Sequence, residues 1–560
     1  MRATNFAGAL LLAAAAAASG SEHTRALDGE SFTEDLLVKP LNDGKVLLHF
    51  DFNFERSQPT NDTAHHYHLF PRQIGEIAQR YSLDDLQLSF TQANWQEKWG
   101  DPATNLHGVG AEMRATIGGP QESQAERWRG ATNALSGVFC ASLNFIDDTN
   151  TRQIRVDRQG SGQRMSGYLP RENVCTENLT PWIKQLPCQA MSGLGVLLNP
   201  HRLYNMHFHS MGIALQPTSK GLSYRQYLSV VLDPRTFGLQ STDWSLTALL
   251  DRPLSACPAA KRSTVRVIAK PGDQLRLSPK PTSTEKWADA GDGLEAHVFD
   301  IGRTAGRQVV NDIGLQRANS KARAELPRIG LRRFVTGRSS GSMSGGVEAL
   351  ISNRGDAPVR VRYIDTLPWY LRVYLHTLTI NRVSSDALAG GEKQRVEPES
   401  IGLVPSVDRG RPTTVDVVLE LPAQSQVVLR YSFDKGFLKY TEHPPDANRG
   451  FNIGPAVVSY RDYKGDRSLA CAVQRAVMAD GLLDECVTER YSELFLASLP
   501  TPDFSMPYNV ITFTCTILAL FFGRIFNLLT RDFVVLDECE TEKEQAHEQE
   551  HEQNTADASN

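Results

Sequence analysis

The chain has 560 residues, of which 59 are Lys or Arg and 64 are Asp or Glu, and its net charge is −5 at pH 7. Residues 531–560 hold ten acidic and two basic residues, so the rest of the chain carries a net charge of +3. The body is nearly neutral and has no basic stripe, which argues against nucleic acid as a partner, and its length predicts two to three domains.

The N-terminus has the layout of a secretory signal peptide. A short basic start, Met1 and Arg2, precedes an alanine-rich apolar run that ends at Ala18, and small residues follow at 19–21. Such a run is too short for a permanent membrane span, and small residues suit a cleavage site. We therefore expect a signal peptide at residues 1–20 and a body on the luminal side of a secretory membrane.

The body is predicted to be mainly β. Residues 36–55 alternate apolar and polar around an Asn-Asp-Gly turn, which predicts a β-hairpin, while 68–81 and 125–141 have helical spacing. We expect a first luminal domain at 21–271, β-rich with a few helices. The segment 272–292 is rich in Pro, Ser, Thr and charge and is predicted to be a linker. Short alternating runs then predict a β-sandwich domain over 293–505.

The segment 506–530 is predicted to be one transmembrane helix. Its centre, Val510–Phe522, carries no charge, and Tyr508–Leu529 would form about 33 Å of helix. A buried helix of a soluble domain is the alternative. Arg524 and Arg531 lie at the C-terminal side, which favours a cytoplasmic C-terminus. The Glu/Gln/His-rich residues 531–560 are expected to be a disordered acidic tail.

Six cysteines fall in the predicted luminal body, where disulfides persist, and their even number allows three internal bridges. They are Cys140, Cys175, Cys188, Cys257, Cys471 and Cys486. The residues alone leave two interpretations open. Either Cys175 closes a loop with Cys188, as parity favours, or it pairs with another subunit. Two sequons predict N-glycosylation at Asn61 and Asn178.

Three patterns suggest enzyme chemistry, but their contexts argue against it. Gly337–Gly341 matches the G-x-S-x-G nucleophile motif around Ser339, yet a glycine-rich turn and a strand follow instead of a helix. His547–His551 matches H-E-x-x-H, but it lies in the tail without a third ligand. The histidine groups at 65–68 and 201–209 have no acidic or sulfur partner at ligand spacing. We predict no catalytic, cofactor or metal site, with a Ser339 hydrolase as a rival.

Several long strings resemble the PIG-T family, a non-catalytic subunit of the glycosylphosphatidylinositol (GPI) transamidase of the endoplasmic reticulum. They are CTENLTPW from Cys175, LPTPDFSMPYNV from Leu499, and blocks at 66–100, 135–151 and 365–380. The resemblance implies a single-pass type I glycoprotein of the endoplasmic reticulum membrane. It would be a scaffold that stabilises and positions a caspase-like catalytic subunit while GPI anchors are attached to proprotein C-termini.

The resemblance also implies partners and residue roles. The partners are the caspase-like subunit, multispanning and luminal subunits, the bilayer, and GPI and proprotein reached through the complex. In this family the cysteine matching Cys175 is associated with a disulfide to the catalytic subunit, which reverses the parity argument. Cys471 and Cys486 lie in a poorly matching region and are expected to pair locally. Trp182, Trp369 and Tyr370 are candidate interface aromatics. A free-standing type I receptor or binding module is the alternative function.

Overall fold

A computed structural model describes most of the chain. The described residues are 29–57, 67–154, 163–219, 221–270, 273–287, 293–301, 310–317, 326–337, 341–383, 394–444, 446, 449–461, 469–477, 486–501, 505–532 and 543–551. They fall into two compact units that divide after Pro500. The signal peptide predicted at 1–20 lies outside the described residues.

An eleven-stranded sheet organises the first part of the larger unit, and its strand order is β12-β13-β10-β1-β2-β8-β7-β3-β4-β6-β5. The strands are β1 Glu30–Pro40, β2 Val46–Ser57, β3 Leu83–Gln92, β4 Gly110–Ile117, β5 Thr151–Ile154, β6 Gln163–Leu169, β7 Phe208–Thr218, β8 Gly221–Leu232, β10 Arg262–Ala269, β12 Ser283–Trp287 and β13 Leu294–Asp300. β1 pairs with β10 in parallel, and the other pairs are antiparallel. The central strands β2 and β8 are buried along most of their length because both faces of the sheet are covered, and the buried positions include polar residues such as His49, Asp51 and Ser229.

Helices cover one face of this sheet. They are α1 Arg72–Arg80, α2 Gln121–Phe139, α3 Thr176–Lys184, α4 Pro200–Leu203 and α5 Leu246–Leu250. α1 and α2 each follow a proline, Pro71 and Pro120, which fits the start of a helix because proline lacks the N–H that a first turn leaves unpaired. α2 buries Trp128, Leu135 and Phe139 against the sheet in the main core.

A smaller core lies on the opposite face of the sheet. Leu47 and Val231 from the sheet pack there with Trp99, and with Leu469 and Val473 from α6, Leu469–Val477. The chain therefore returns to the first sheet after it has built most of the second part of the unit.

The second part is a β-sandwich of two five-stranded sheets. One sheet has β15 Ile329–Val335, β16 Ser344–Asn353, β22 Ser425–Lys435, β18 Leu371–Val383 and β19 Gln394–Arg395; the other has β20 Ser400–Val404, β21 Thr413–Leu421, β17 Val359–Leu367, β24 Val457–Arg461 and β25 Val487–Tyr491. Strands such as β17 alternate buried and exposed residues, as expected where one face meets the core and the other meets solvent. The mainly β prediction is confirmed. We call residues 29–317 the sheet lobe and 326–500 the sandwich lobe.

The segment predicted to be a linker instead contains strands. β11, Leu275–Ser278, joins β14, Gly314–Arg317, and β9, Asp243–Ser245, in a small sheet, while β12 and β13 extend the large one. The first core thus continues past residue 292. β11 and β12 are polar because they lie at the surface and expose alternate side chains, which made this segment similar to a linker in composition.

The smaller unit contains the apolar helix α7, Ser505–Thr530, and its part Tyr508–Thr530 is long and apolar enough to cross a membrane. Residues 543–551 are also helical, whereas the whole tail was expected to be disordered. This stretch is composed of Lys, Glu, Gln, Ala and His, and four of those five residue types are good helix formers.

Candidate functional sites: the Cys175 turn and the interlobe junction

Cys175 lies where α3 begins, on a turn that a neighbouring asparagine holds in place. The side-chain oxygen of Asn178 accepts a hydrogen bond from the Cys175 backbone N–H at 3.0 Å. Its Nδ2 donates to the carbonyl oxygens of Phe139 and Cys140 at 3.1 Å each. Asn178 therefore ties the start of α3 to the end of α2, where orphan backbone groups would otherwise lack partners. We call residues 175–178, with their contacts to 139–140, the Cys175 turn.

The backbone of Cys175 is fixed while its thiol is exposed and outside any disulfide. The Tyr204 hydroxyl donates to the Cys175 carbonyl oxygen at 2.5 Å, and burial of the Tyr204 ring raises the pKa of that hydroxyl. The ring of Tyr204 stacks on buried His209, with centroids 5.5 Å apart. Burial lowers the pKa of His209 to about 4, so this histidine is neutral at physiological pH. The turn thus presents a thiol from a rigid, uncharged support.

One of the two disulfides of the described residues contradicts the Cys175–Cys188 loop. Cys188 pairs with Cys257, so the Cys175–Cys188 loop that parity favoured is wrong. A second disulfide joins Cys471 to Cys486. Cys140, at the end of α2, is exposed and unpaired like Cys175. Cys175 and Cys188 are held apart because the residues between them form α3.

Two predictions for residues of α3, Asn178 and Trp182, also differ from the structure. Asn178 is 1% exposed and uses Nδ2, the atom that would carry a glycan, in two hydrogen bonds, so the fold disfavours glycosylation there. Trp182 is 0% exposed and donates from Nε1 to the Gly212 carbonyl at 3.1 Å, so it is a core residue rather than an interface aromatic. The spacing of Leu179, Trp182 and Ile183 was the available signal for a buried helix face, but Pro181 obscured it. The Asn61 sequon lies outside the described residues.

The other candidate aromatics lie at a cavity between the lobes. Trp369 is 7% exposed, Tyr370 is half-buried, and both line the cavity. The Arg409 guanidinium lies 5.1 Å from the centre of the Trp369 ring, in a cation–π contact. Within this chain, then, Tyr370 is partly available for contacts, whereas Trp369 is mostly engaged.

A buried charge network joins the two lobes, and we call it the interlobe junction. Arg114 on β4 lies between Glu112, with Nε–Oε1 at 2.8 Å, and Glu489 on β25, with Nη1–Oε1 at 2.9 Å. The Tyr491 hydroxyl donates to Glu112 Oε2 at 3.0 Å, and the His107 ring lies 3.1 Å from the same oxygen. Sequence reasoning missed these residues because no local pattern links positions 375 residues apart.

The electrostatics of the junction favour ionised carboxylates. Burial alone would raise the pKa of Glu112, but the Arg114 guanidinium and the His107 contact outweigh burial and hold that pKa well below its usual value. The pKa of Glu489 is lowered by the same balance, with Arg114 again the main attraction. The opposing charges raise the pKa of Arg114 despite its burial. A buried pair of this kind is costly to break because each partner would be left as an uncompensated charge.

Further polar contacts between the lobes surround the network. Asn105 donates from Nδ2 to the Val487 carbonyl at 2.8 Å and accepts from the Glu489 N–H at 3.3 Å. Arg490 forms an ion pair with Asp101. β25 therefore belongs to the sandwich by its pairing with β24 and is fixed to the sheet lobe by its side chains and backbone.

A serine–histidine–aspartate set occurs inside the sheet but cannot act as an active site. His49 Nδ1 lies 2.8 Å from Ser229 Oγ, its register partner on β8, and His49 Nε2 lies 3.5 Å from Asp51 Oδ2. All three residues are 1% exposed, and the void beside His49 and Asp51 is only about 10 Å³. Burial lowers the pKa of His49. Substrate cannot reach Ser229, so the set acts as a buried polar network.

The predicted enzyme motifs do not assemble a site in the described part of the chain. Ser339, His65 and His66 lie outside the described residues. In the residues that the structure describes, no group of three or more His, Cys, Asp or Glu could hold a metal ion. His209 is buried in the sheet, whereas His207 and His201 are exposed.

Comparisons with known proteins cover nearly the whole chain. A family model described as "Gpi16 subunit, GPI transamidase component" matches residues 9–239 and 234–555. The "GPI-anchor transamidase component PIGT" of Mus musculus is 36% identical over 543 residues, which cover 90% of this chain and 90% of that protein. The Homo sapiens protein of the same name is 35% identical and covers 90% of this chain and 91% of its own.

The comparisons also include a more distant relative and a solved structure. The "GPI transamidase component GPI16" of Saccharomyces cerevisiae is 28% identical and covers 91% of this chain and 90% of its own. The collagen-binding subdomain of the Enterococcus faecalis surface protein ACE aligns with 30% of this chain and 96% of its own at 9% identity. Its TM-score of 0.18 is too low to indicate a shared fold.

Proposed function

The chain belongs to the Gpi16 family of GPI transamidase components, and on that premise we propose that it is the non-catalytic scaffold subunit of the enzyme. In this proposal it stabilises and positions a caspase-like catalytic subunit in another chain while GPI anchors are joined to proprotein C-termini. The relatives carry the word "component" in their names, which supports a role within a complex.

The interlobe junction is the observation that carries the scaffold proposal. Two lobes with separate cores would move relative to each other if only a linker joined them. Here Arg114, Glu112 and Glu489 form a buried charge network between the lobes, and Asn105 adds backbone contacts. A body held in this way keeps its surfaces at fixed separations, as a positioning subunit requires.

Cys175 is the proposed covalent link to the catalytic subunit. Its thiol is exposed, and its backbone is fixed by Asn178 and Tyr204. A disulfide at this position would convert subunit contact into an effectively intramolecular one and raise the local concentration of the partner. A fixed backbone reduces the entropy lost when such a bridge forms.

The proposed topology is a single-pass protein of the endoplasmic reticulum membrane. Residues 1–20 act as a signal peptide, residues 21–505 are luminal, α7 crosses the bilayer next to multispanning subunits, and 531–560 are cytoplasmic. In the mature protein, Asn61 carries an N-glycan. Proteinase K treatment of sealed microsomes should remove the tail and leave the body intact; digestion of the body would contradict this orientation.

We expect Cys175→Ser to abolish a band on a non-reducing gel that contains this chain and the protease subunit, because the serine cannot form the bridge. Cys140→Ser is the matched control, since Cys140 is also exposed and unpaired and lies beside the Cys175 turn. The control should keep the band. Persistence of the band in Cys175→Ser would exclude Cys175 as the link.

Two rival functions have direct tests. A free-standing type I receptor or binding module would purify in mild detergent without stoichiometric multispanning subunits, whereas the scaffold should bring them along. A serine hydrolase that uses Ser339 would be labelled by a fluorophosphonate probe, and Ser339→Ala would block the labelling. We expect no such labelling because catalysis is proposed to lie in another chain.

A further inference from the structure

A cavity of about 460 Å³ lies between the two lobes. This volume falls within the range of about 300 to 1,000 Å³ that is usual for small-ligand sites. The sheet lobe contributes Phe145, Arg152 and Tyr168 to its wall, and the sandwich lobe contributes Tyr370 and Phe451. Apolar walls with a few polar groups are characteristic of binding sites.

The sandwich side of the wall is a row of aromatic rings. The Trp369 and Tyr370 rings meet edge to face at 5.7 Å between centroids, and Tyr370 and Phe451 are 5.1 Å apart. Across the cavity the Phe145 ring is 67% exposed. These rings provide a surface on which apolar side chains of a ligand can pack.

Two cations in the wall, Arg152 and Arg171, form no ion pair with a described residue, although the Glu112 carboxylate attracts Arg152 at longer range. Among the described residues, no carboxylate lies within 4 Å of the guanidinium of Arg152 or Arg171. Arg152 Nη1 donates to Thr366 Oγ1 at 3.0 Å, and burial lowers the pKa of Arg152. The carboxylates of the wall are engaged elsewhere, because Glu112 pairs with Arg114 and Glu172 accepts from the Ser142 N–H. Arg152 and Arg171 are therefore the groups of the wall that an anionic ligand could pair with, since both carboxylates already have hydrogen-bond partners.

A strand edge completes the wall. β23, Phe451–Ile453, pairs in the described chain only with β26, Phe495–Ala497. Phe451 and Asn452 both line the cavity, together with Gly450 and Gly454. Successive side chains point to opposite faces of a strand. Because the wall includes both Phe451 and Asn452 as well as the two flanking glycines, the cavity lies along the edge of β23. Unpaired N–H and C=O groups at such an edge can bind an extended chain.

We propose that this cavity binds the C-terminal end of an extended polypeptide. In this arrangement the peptide backbone pairs with β23, its apolar side chains pack on Phe145, Tyr370 and Phe451, and its terminal carboxylate pairs with Arg152 and Arg171. A peptide accounts for the strand edge and the cations together, whereas an apolar ligand accounts for neither.

The test measures fluorescence anisotropy of a labelled pentapeptide with the purified full chain in detergent. The probe is N-terminal fluorescein on Ser-Val-Phe-Val-Ala, prepared with a free C-terminal carboxylate and as the C-terminal amide. We expect saturable binding of the acid and at least about tenfold weaker binding of the amide, because a charge-assisted bond is lost. This comparison needs no variant and so does not depend on whether a variant folds.

Variants of cavity residues test whether the peptide binds in the cavity. Arg152→Gln should weaken the acid about tenfold and leave the amide unchanged. Phe145→Ala, at an exposed ring, should weaken both peptides by about the same several-fold factor. Arg360→Gln is the matched control, since Arg360 is an exposed arginine of the sandwich lobe paired with Glu399, and it should change neither.

Three results would overturn the proposal: no saturable binding of the acid, equal binding of acid and amide, or unchanged binding in Arg152→Gln. Displacement of the probe by short-chain phosphatidylinositol at lower concentration than by unlabelled peptide acid would assign the cavity to a phosphate-bearing lipid instead. The inference goes beyond the scaffold role, and the binding assay uses this chain alone. Loss of peptide binding and loss of the Cys175 bridge are therefore separate outcomes.

Discussion

At the scale of single residues, the same side chain can match a motif and serve a different purpose. Asn178 stands in a sequon, yet the fold buries it and uses its amide to join two helix ends. Trp182 lies in a string shared with the PIG-T family, yet it packs on Phe52 inside the core. Motif and family strings identify which positions matter, whereas burial and hydrogen bonds determine what each one does.

Glu34 is a buried carboxyl that makes stability depend on pH. It lies opposite Ser263 in the β1–β10 register, accepts from Ser263 Oγ at 2.6 Å and from the Leu194 N–H at 3.1 Å, and is 1% exposed. Burial raises the pKa of Glu34 to about 7, more than its hydrogen bonds lower it. The folded state therefore holds a proton that the unfolded state releases above about pH 4.5, so the contribution of Glu34 to stability is full below that pH and is lost as the pH rises to about 7.

We predict that Glu34→Gln removes this loss. Relative to wild type, the free energy of unfolding of the variant should rise between pH 5 and pH 7.5 by about 2 kcal/mol, since glutamine resembles the neutral carboxyl. Urea unfolding of the full chain in detergent at several pH values measures the difference. Glu55→Gln is the matched control, because Glu55 is exposed and also accepts from a serine, Ser31. A difference for Glu34→Gln that stays flat with pH would contradict the prediction.

At the scale of elements, β25 contacts both lobes. Its five residues pair with β24 in the sandwich, while Glu489 and Tyr491 reach the Arg114 network of the sheet lobe. Side chains alternate along β25, so Glu489 and Tyr491 lie on one face and Arg490 on the other; charge on both faces by itself suggests a surface strand. Only the contact with Arg114 of β4, far away in the sequence, makes the face of Glu489 and Tyr491 an interior one.

We predict that Arg114→Gln destabilises the protein by about 3 to 5 kcal/mol, because Glu112 and Glu489 would remain buried without their counter-charge. Arg430→Gln is the control, because Arg430 pairs with Glu348 across strands at the exposed face. Its loss should lower the free energy of unfolding by only about 0 to 1 kcal/mol. Urea unfolding compares the two. Similar small losses would mean that the junction contributes little to the attachment of the lobes.

The same network predicts acid sensitivity. The lowered pKa values of Glu112 and Glu489 mean that their contribution to stability is present above the ordinary glutamate pKa of 4.5 and is lost as the pH falls below it. This direction is opposite to that of Glu34, so the two effects can be separated by pH range.

At the scale of the whole molecule, the chain divides after Pro500 into the two-lobed body and a unit that contains the apolar helix. The body has its own cores and both disulfides of the described residues. Helix α7 exposes apolar side chains along its length, as a helix must if lipid rather than protein is to cover it.

We predict that a chain ending at residue 500 is released from microsomes by sodium carbonate, whereas the full chain stays in the membrane pellet. The truncated chain should keep the Cys188–Cys257 and Cys471–Cys486 disulfides, as peptide mapping without reduction can check. Retention of the truncated chain in the pellet, with no partner subunit present, would show that α7 is not the sole anchor of this protein.

The sequence by itself determined features that depend on local composition and period: the apolar helix at 506–530, the alternating strands of the sandwich and two helices, predicted at 68–81 and 125–141 and observed at 72–80 and 121–139. It also carried the family strings and the local Cys471–Cys486 pair. The tertiary structure alone decided that β12 and β13 extend the large sheet, that Cys188 pairs with Cys257, and that Arg114 meets Glu489. These features are contacts between residues distant in sequence, and their energies come from burial and charge pairing that no local pattern records.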